Sequence, residues 1–410
     1  MPSIDSKPAA RLDAAAPPLD GLLVLDFTRV LSGPYCTMLL GDMGARIIKI
    51  EQPGRGDDTR AWGPPFIGAE SAYFLSVNRN KESLTLDLKR PEALAVIEQL
   101  LDRADVVVEN FRPGTMDRLK LGYQRVSDRW PQIVYCSISG FGQTGPRRDQ
   151  PGYDAVVQAE AGLMSITGDA AGSPFRLGVA IADIASGMFA AQGVAMALLA
   201  RARTGRGQLV DIGMLDAAAA LLTYQAGIFF ATGESPRRMG NRHPTIVPYE
   251  TFAAADGEFV LAVGNDELWQ RFCEAAGLQE LSADPRFGTN RGRVEHYPVL
   301  RPLLETRLRS RTRAHWLAAF SGAGIPCGAV RDLAGVFADP QLDARGMIES
   351  IEHAMAGPLR LLGVPVKLSH TPGRIRCAPP VLGQHTDRIL RDDLGLTDHD
   401  VRRLAELGVT

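Results

Sequence analysis

The sequence predicts an α/β protein with a large parallel-sheet domain and a smaller α+β domain. Three observations carry that expectation. Short apolar runs alternate with helical patterns through the first half of the 410-residue chain. That alternation is the signature of parallel strands joined by crossover helices, with both faces of the sheet covered. The texture changes at ATGESPRRMGNRHPTIVP, rich in Gly, Pro and Arg, which reads as a linker or active-site loop. Beyond it, YETFAAADGEFVLAVGN has the pattern of a hairpin with Asp256-Gly257 at the turn.

The elements follow in order. GLLVLDF (residues 21–27) is a short apolar run after a Pro-rich stretch and reads as a buried strand. YCTMLLGDMGA reads as a helix ending near Gly44, and RIIKIEQP as the next strand, a β-α-β beginning. SLTLDL (83–88) is another expected strand. PEALAVIEQLLDRA (91–104) is an amphipathic helix with Pro91 in its first turn, where a missing N–H costs nothing. DVVVEN and QIVYCSISG follow as strands. The run IADIASGMFAAQGVAMALLARAR predicts a long, small-residue helix stopped by Gly205 and Gly207. GQLVDIG is then a strand and LDAAAALLTYQAGIFFA one further helix. DELWQRFCEAAGL and TRAHWLAAFSGAG read as helices, as does the amphipathic tail VLGQHTDRILRDDLGLTDHDVRRLAELG. The expected organisation is a Rossmann-like α/β domain over 19–225, a small α+β domain over 235–330, and a segment over 340–410 that returns to the large domain.

Composition excludes several classes. Lys plus Arg number 45 and Asp plus Glu 47, a net charge of −2, which favours neither a nucleic-acid backbone nor an anionic membrane. Cys36, Cys136, Cys273, Cys327 and Cys377 are scattered and odd in number, as in a reduced cytoplasmic protein. The opening MPSIDSKPAARLDAAAPP reads as a loose tail without the charged and apolar regions of a signal peptide. No apolar run reaches the roughly 18 residues of a membrane span.

The motifs narrow the chemistry further. Gly140-Phe-Gly142-Gln-Thr-Gly145 spells G-x-G-x-x-G after a strand, but Pro146-Arg-Arg-Asp-Gln-Pro151 follows it. A dinucleotide site needs a helix to open there, so the glycines read as a turn. The histidines are dispersed, and there is no H-E-x-x-H, C-x-x-C, G-x-S-x-G or P-loop. Neither a metal nor a tightly bound cofactor is expected. Carboxylates among small residues remain. Asp183, in LGVAIADIASGMFAA, needs a reason to sit in so apolar a run. It can be a helix N-cap, kept ionised by helix amides. It can also be a nucleophile, with Ala182, Ala185, Ser186 and Gly187 leaving room for a bulky substrate.

From about Leu19 to Leu407 the sequence resembles the class III CoA-transferases, the family of formyl-CoA transferase and carnitine CoA-transferase. The stretches that carry the resemblance are GLLVLDFTRVLSGPYCTMLLGDMGARIIKIEQPGRGDDTR, YFLSVNRNKESLTLDL, ADVVVENFRPGTMDRLKLGY, SISGFGQTGP, PGYDAVVQAEAGLMSITGD, GVAIADIASGM, TGRGQLVDIGMLDA and GIPCGAV. The resemblance implies that Asp183 is the nucleophile and that coenzyme A, as substrate, meets Val30, Leu31, Leu86 to Lys89, Asn110, Phe111, Arg112, Arg118, Tyr153 and Asp154. Arg112, Arg118 and Lys89 suit phosphates, and Phe111 suits the adenine or pantetheine. Gly240, Asn241, Arg242 and His243 would gate the site and supply oxyanion donors. It also implies an interlocked, ring-like homodimer. The implied reaction passes through an aspartyl anhydride and an aspartyl-CoA thioester.

Two rivals share these residues. A racemase acting on α-methylacyl-CoA needs two bases on opposite faces of a carbon. Related racemases supply one from a His directly before an Asp, and here Tyr153 precedes Asp154. A non-catalytic CoA-binding protein would not need Asp183. Leu31 and the GNRHP stretch depart from formyl-CoA transferases. The loop RRMGNRHPTIVPYETF looks more like relatives that use dicarboxylates such as succinate or glutarate. A second carboxylate would want a cation, and Arg242, Arg79 and Arg60 are the candidates.

Overall fold

The computed structural model describes residues 15–410; the stretch read as a loose tail and not a signal peptide falls mainly outside the described residues. The chain forms two compact units. The first holds the described residues up to Leu163, then Leu177–Tyr224 and Pro340–Thr410. The second holds Met164–Arg176 and Gln225–Asp339.

The first unit is built on β1 (Leu23–Asp26), α1 (Ser32–Asp42), β2 (Arg46–Glu51), β3 (Lys81–Thr85), α2 (Pro91–Leu101), β4 (Val106–Glu109), β5 (Val134–Ser139), α3 (Asp154–Glu160), α4 (Ile181–Thr204), β6 (Leu209–Gly213) and α5 (Met214–Ala220). The six strands form one parallel sheet in the order β3-β2-β1-β4-β5-β6. Strand order therefore reverses between β1 and β4. In such sheets the crevice beyond the carboxyl ends of those two strands is where ligands bind. Apolar runs explain the burial: Leu25, Ile48, Leu84 and Val107 pack on one face with α2, and Val24, Ile47, Val106 and Cys136 on the other with α1 and α4.

The C-terminal residues complete the first face. Ile389, Leu390, Val401, Leu404 and Val409 join the core of Leu25, Ile48 and Leu84. Thr386 Oγ accepts from the Thr85 amide at 3.0 Å, and the Asp87 amide donates to the Val409 carbonyl at 2.7 Å.

Three expectations are corrected. The strand read at 83–88 runs over Lys81–Thr85, because Lys81 is drawn into a buried ion network instead of starting a loop. The helix read through LDAAAALLTYQAGIFFA breaks into α5 and α6 (Thr223–Thr232), with Thr223 at φ 42°. Composition gave no warning of that break. Finally, the 24 residues of α4 are long and apolar enough to cross a membrane, which counting uninterrupted apolar residues missed. Its stripe of Ala182, Ala185, Ser186, Gly187, Ala190, Val194 and Ala197 is buried in the core of this unit.

The second unit has β7 (Tyr249–Ala253), β8 (Glu258–Ala262) and β9 (Cys327–Ala329) in one antiparallel sheet, order β9-β8-β7. The Ala254 amide meets the Gly257 carbonyl at 2.8 Å, closing the hairpin at Asp256-Gly257. Its core is aromatic: Phe252, Phe259, Trp269, Phe272, Trp316 and Phe320 are buried together.

Candidate active site

The turn after β1 is held by buried charge. Lys49 Nζ lies 2.9 Å from the Asp57 carboxylate and donates to the Thr28 carbonyl at 2.7 Å. Lys81 Nζ lies 3.2 Å from Asp26. Asp26 accepts from the Thr28 amide at 2.8 Å and from Thr37 Oγ at 2.7 Å. All four charged side chains are fully buried. Burial would raise Asp26 and Asp57, but the ammonium groups hold both below their usual range, Asp57 at about 2. Burial brings Lys81 down to about 8, against the pull of Asp26.

This network fixes a strained backbone. Val30 has φ 70°, the left-handed region that a β-branched residue avoids. Asp57 Oδ1 accepts from the Val30 amide at 3.2 Å. Asn110, just past β4, accepts from the Arg29 amide at 2.8 Å and donates to the Arg29 carbonyl at 2.7 Å. Asn110 thereby bridges the point where the strand order reverses.

A cleft opens above it, lined by Arg29, Val30, Ser32, Asn110, Phe111, Arg112, Ser139, Gly140, Tyr153 and Asp183 among others. A second cleft shares Arg29 and Phe111 with it and runs past Leu86, Leu88, Lys89, Thr115 and Leu119. The Arg29 guanidinium sits 4.9 Å over the Phe111 ring. Of the residues singled out in the sequence, Val30, Asn110, Phe111, Arg112, Tyr153 and Asp183 meet in the first cleft, and Leu86, Lys89 and Phe111 in the second. Leu31 instead packs with Met38 and Val77 beneath it. Arg118 lines neither cleft and bonds Thr115 Oγ at 2.9 Å. Asp154 acts from behind: its carboxylate accepts from the Ala182 amide at 2.9 Å and from Gln158 Nε at 2.7 Å.

Asp183 differs from the N-cap reading. Ala180 precedes α4, so Asp183 is the third residue of its first turn, and Asp154 takes the cap's place at the Ala182 amide. Nor is its charge favoured: burial, then the Asp154 charge, push its carboxyl up to about 7, while hydrogen bonds from the Ser32 side chain and amide pull the other way. The same carboxylates, after burial, raise the Tyr73 phenol to about 12.

Two glycine contacts set the geometry. A Cβ on Gly187 would lie 2.6 Å from the Ser32 carbonyl, so only glycine lets α4 approach the start of α1 this closely. A Cβ on Gly140 would lie 2.8 Å from Gly152 Cα, so these two residues press the Tyr153 segment against the end of β5. With Gly142 at φ 84° and no helix following, the G-x-G-x-x-G stretch is a packing and turn device.

Gly240, Asn241, Arg242 and His243 lie in the second unit. The Gly240 amide donates to the Gly168 carbonyl at 3.0 Å, His243 stacks on Tyr249 at 5.2 Å, and Arg242 lies 3.5 Å over the Tyr297 ring. Arg60 and Arg79 are committed elsewhere: Arg60 grips Glu51 with two 2.8 Å bonds, and Arg79 grips Asp42 at 2.9 and 2.7 Å. Neither is free to serve a substrate carboxylate. Sequence reasoning missed Arg29, Ser32, Tyr73 and Ser139. The signal for Ser32 was its place before Gly33-Pro34, a helix start aimed by the preceding turn.

A profile of CoA-transferase family III matches residues 19–386. The chain belongs to CoA-transferase family III. It is accordingly an enzyme of the CoA-transferring kind. It is 41% identical over 392 residues to human succinyl-CoA:glutarate CoA-transferase, covering 96% of this chain and 90% of that protein. It is 44% identical over 353 residues to acetyl-CoA:oxalate CoA-transferase of Acetobacter aceti, covering 86% and 89%. Among solved structures, a CAIB/BAIF family protein from Brucella suis is 40% identical with TM-score 0.82, covering 92% of this chain and all of that one. In this family member the buried network is open to a direct check. Lys49→Met leaves Asp26 and Asp57 without one cation, so urea unfolding should show a loss of about 3–5 kcal/mol. A loss under about 1 kcal/mol would mean that the pair does not hold the turn.

Proposed function

We propose that this enzyme moves coenzyme A from an acyl-CoA donor, such as succinyl-CoA, to a dicarboxylic acid, with Asp183 as the nucleophile. The observation that carries the reading is Asp183 itself. It is a partly desolvated carboxylate in a cleft at the sheet's switch point, among small residues of α4 and with Ser32 lining the same cleft. The Asp183 carboxylate attacks the donor thioester, giving a mixed anhydride and a CoA thiolate. The thiolate attacks the aspartyl carbonyl and frees the donor acid. The acceptor carboxylate then attacks the aspartyl-CoA thioester, and the returning thiolate makes the new acyl-CoA, restoring Asp183.

We place coenzyme A along the paired clefts. Its nucleotide suits the second, with Leu86, Leu88, Leu119 and Phe111 for the adenine and Lys89 for phosphate. Its pantetheine arm would pass Phe111 and Arg112 towards Asp183. The Gly240–His243 loop is our proposed gate and donor set for the substrate carbonyl. The dicarboxylate reading rests on the relatives that act on succinyl-CoA with glutarate and on acetyl-CoA with oxalate. Of the three arginines proposed for a second carboxylate, Arg242 is the one with no ion pair among the described residues. Racemisation lacks its second base, because Tyr153 stands where that chemistry wants a His.

We further propose an interlocked homodimer. On α4, Met188, Phe189, Met196 and Leu199 are exposed on the side away from the core, and Phe230 is 80% exposed. Sedimentation should give twice the 44.3 kDa chain mass; a monomer at micromolar concentration would exclude the dimer.

Asp183→Ala should abolish CoA exchange between succinyl-CoA and a panel of dicarboxylic acids, read by mass spectrometry, while CoA binding persists. Exchange at near wild-type rate would sink the mechanism. Because the nucleophile must be ionised, kcat/KM should climb with pH through about 7. The raised carboxyl also stabilises the fold most at low pH, and that contribution is lost as pH rises through about 7. Asp183→Asn should therefore melt higher than wild type at pH 8, with the gap closing towards pH 4.

A further inference from the structure

In the proposed exchange Asp183 is attacked as well as attacking. Its carbonyl carbon receives the CoA thiolate and later the acceptor carboxylate, so an oxyanion forms twice on Asp183 itself. Donors must face that oxygen, separate from any that serve the substrate carbonyl. We propose that Ser32 is a catalytic residue whose hydroxyl and backbone N–H form the oxyanion hole on the Asp183 side of the reaction; this rests on Asp183 being the nucleophile.

Placement carries the inference. Ser32 is the first residue of the 11-residue α1, so its N–H has no acceptor within the helix. Leu31, at the N-cap, has no side-chain oxygen to offer it. The positive end of the helix dipole adds to both donors. Ser32 and Asp183 line one cleft, and the Ser32 side chain and amide are the groups that favour the Asp183 charge against burial. Gly187, one turn beyond Asp183, brings α4 against the Ser32 carbonyl at a distance no side chain would permit. The direction of Ser32 is set by the strained Val30 two residues earlier, clamped by Asp57, while Asn110 grips Arg29 on both its amide and its carbonyl. Strain of that kind persists only where surrounding contacts enforce it. Here they aim the start of α1 at Asp183.

The step balances without proton transfer. Thiolate sulfur bonds to Cγ of the acylated Asp183, and the carbonyl π pair moves onto its oxygen, held by the Ser32 N–H and O–H. Collapse restores the carbonyl, breaks the Cγ–O bond and expels the donor acid as its carboxylate. In the second half the acceptor oxygen bonds to Cγ and the CoA thiolate leaves, through the same oxyanion. Ser32 donates throughout and stays protonated.

Ser32→Ala keeps the amide and removes one donor. Its kcat should fall about 100-fold, with KM for the donor acyl-CoA within about threefold. The acid limb of its pH profile should move up, since Asp183 loses a bond that favours its charge. Thermal shift on adding CoA checks that the variant is folded and binds. Wild-type kcat with an unmoved acid limb would overturn the proposal, and so would a loss confined to KM. Hydroxylamine trapping on wild type separates the two readings. No activated carboxyl on the Asp183 peptide refutes the nucleophile itself. A trapped carboxyl with an unimpaired Ser32→Ala variant refutes Ser32 alone.

Discussion

The ion pair between Lys49 and Asp57, extended through Asp26 to Lys81, is the constraint on which the site depends. Removing four charges from water carries a large desolvation cost, and only their mutual attraction and a full set of hydrogen bonds offset it. Lys49 also bonds the Thr28 carbonyl, Lys81 the Pro34 carbonyl, Asp26 takes Thr28 and Thr37, and Asp57 Oδ1 takes Val30 and Thr59, which leaves Asp57 Oδ2 to the Lys49 ammonium. The bonds left over all point at one turn. A hydrophobic replacement of similar volume could fill the space, but it could not hold Val30 left-handed.

That turn lies where the strand order reverses, so its direction decides what the crevice contains. Asn110 locks it from β4, and Phe111 and Arg112 follow directly, so the walls of both clefts share one anchor. The start of α1 is then directed at α4, where Gly187 permits contact. The result is a carboxylate under opposing influences. Burial and Asp154 favour its neutral form, and Ser32 favours its charge. A carboxylate so placed is less stabilised as an anion than one held as a helix cap.

The relatives fit this division of labour. Proteins about 40% identical act on different acid pairs, succinate with glutarate in one and acetate with oxalate in another. Arg60 and Arg79 show the hazard of reading cations from sequence: both are spent on buried carboxylates that hold the first unit together.

Sequence alone determined the α/β class, the strand–helix alternation, the hairpin at Asp256-Gly257 and the position of Asp183 in a helix of small residues. These follow from local periodicity and turn chemistry, which neighbours in the chain decide. It also read Gly140–Gly145 as a turn, because Pro146-Arg-Arg-Asp-Gln-Pro151 does not continue as the helix a dinucleotide site needs. Tertiary structure decided the rest. Asp183 is not the cap, since Asp154, distant in the chain, occupies that role at the Ala182 amide. Nothing in the sequence marks Lys49 or Lys81; their roles come from partners in other elements. Ser32 gained its meaning only when α4 met α1. Charge, strain and hydrogen-bond direction at a site are properties of contacts between distant segments, and no spacing along the chain encodes them.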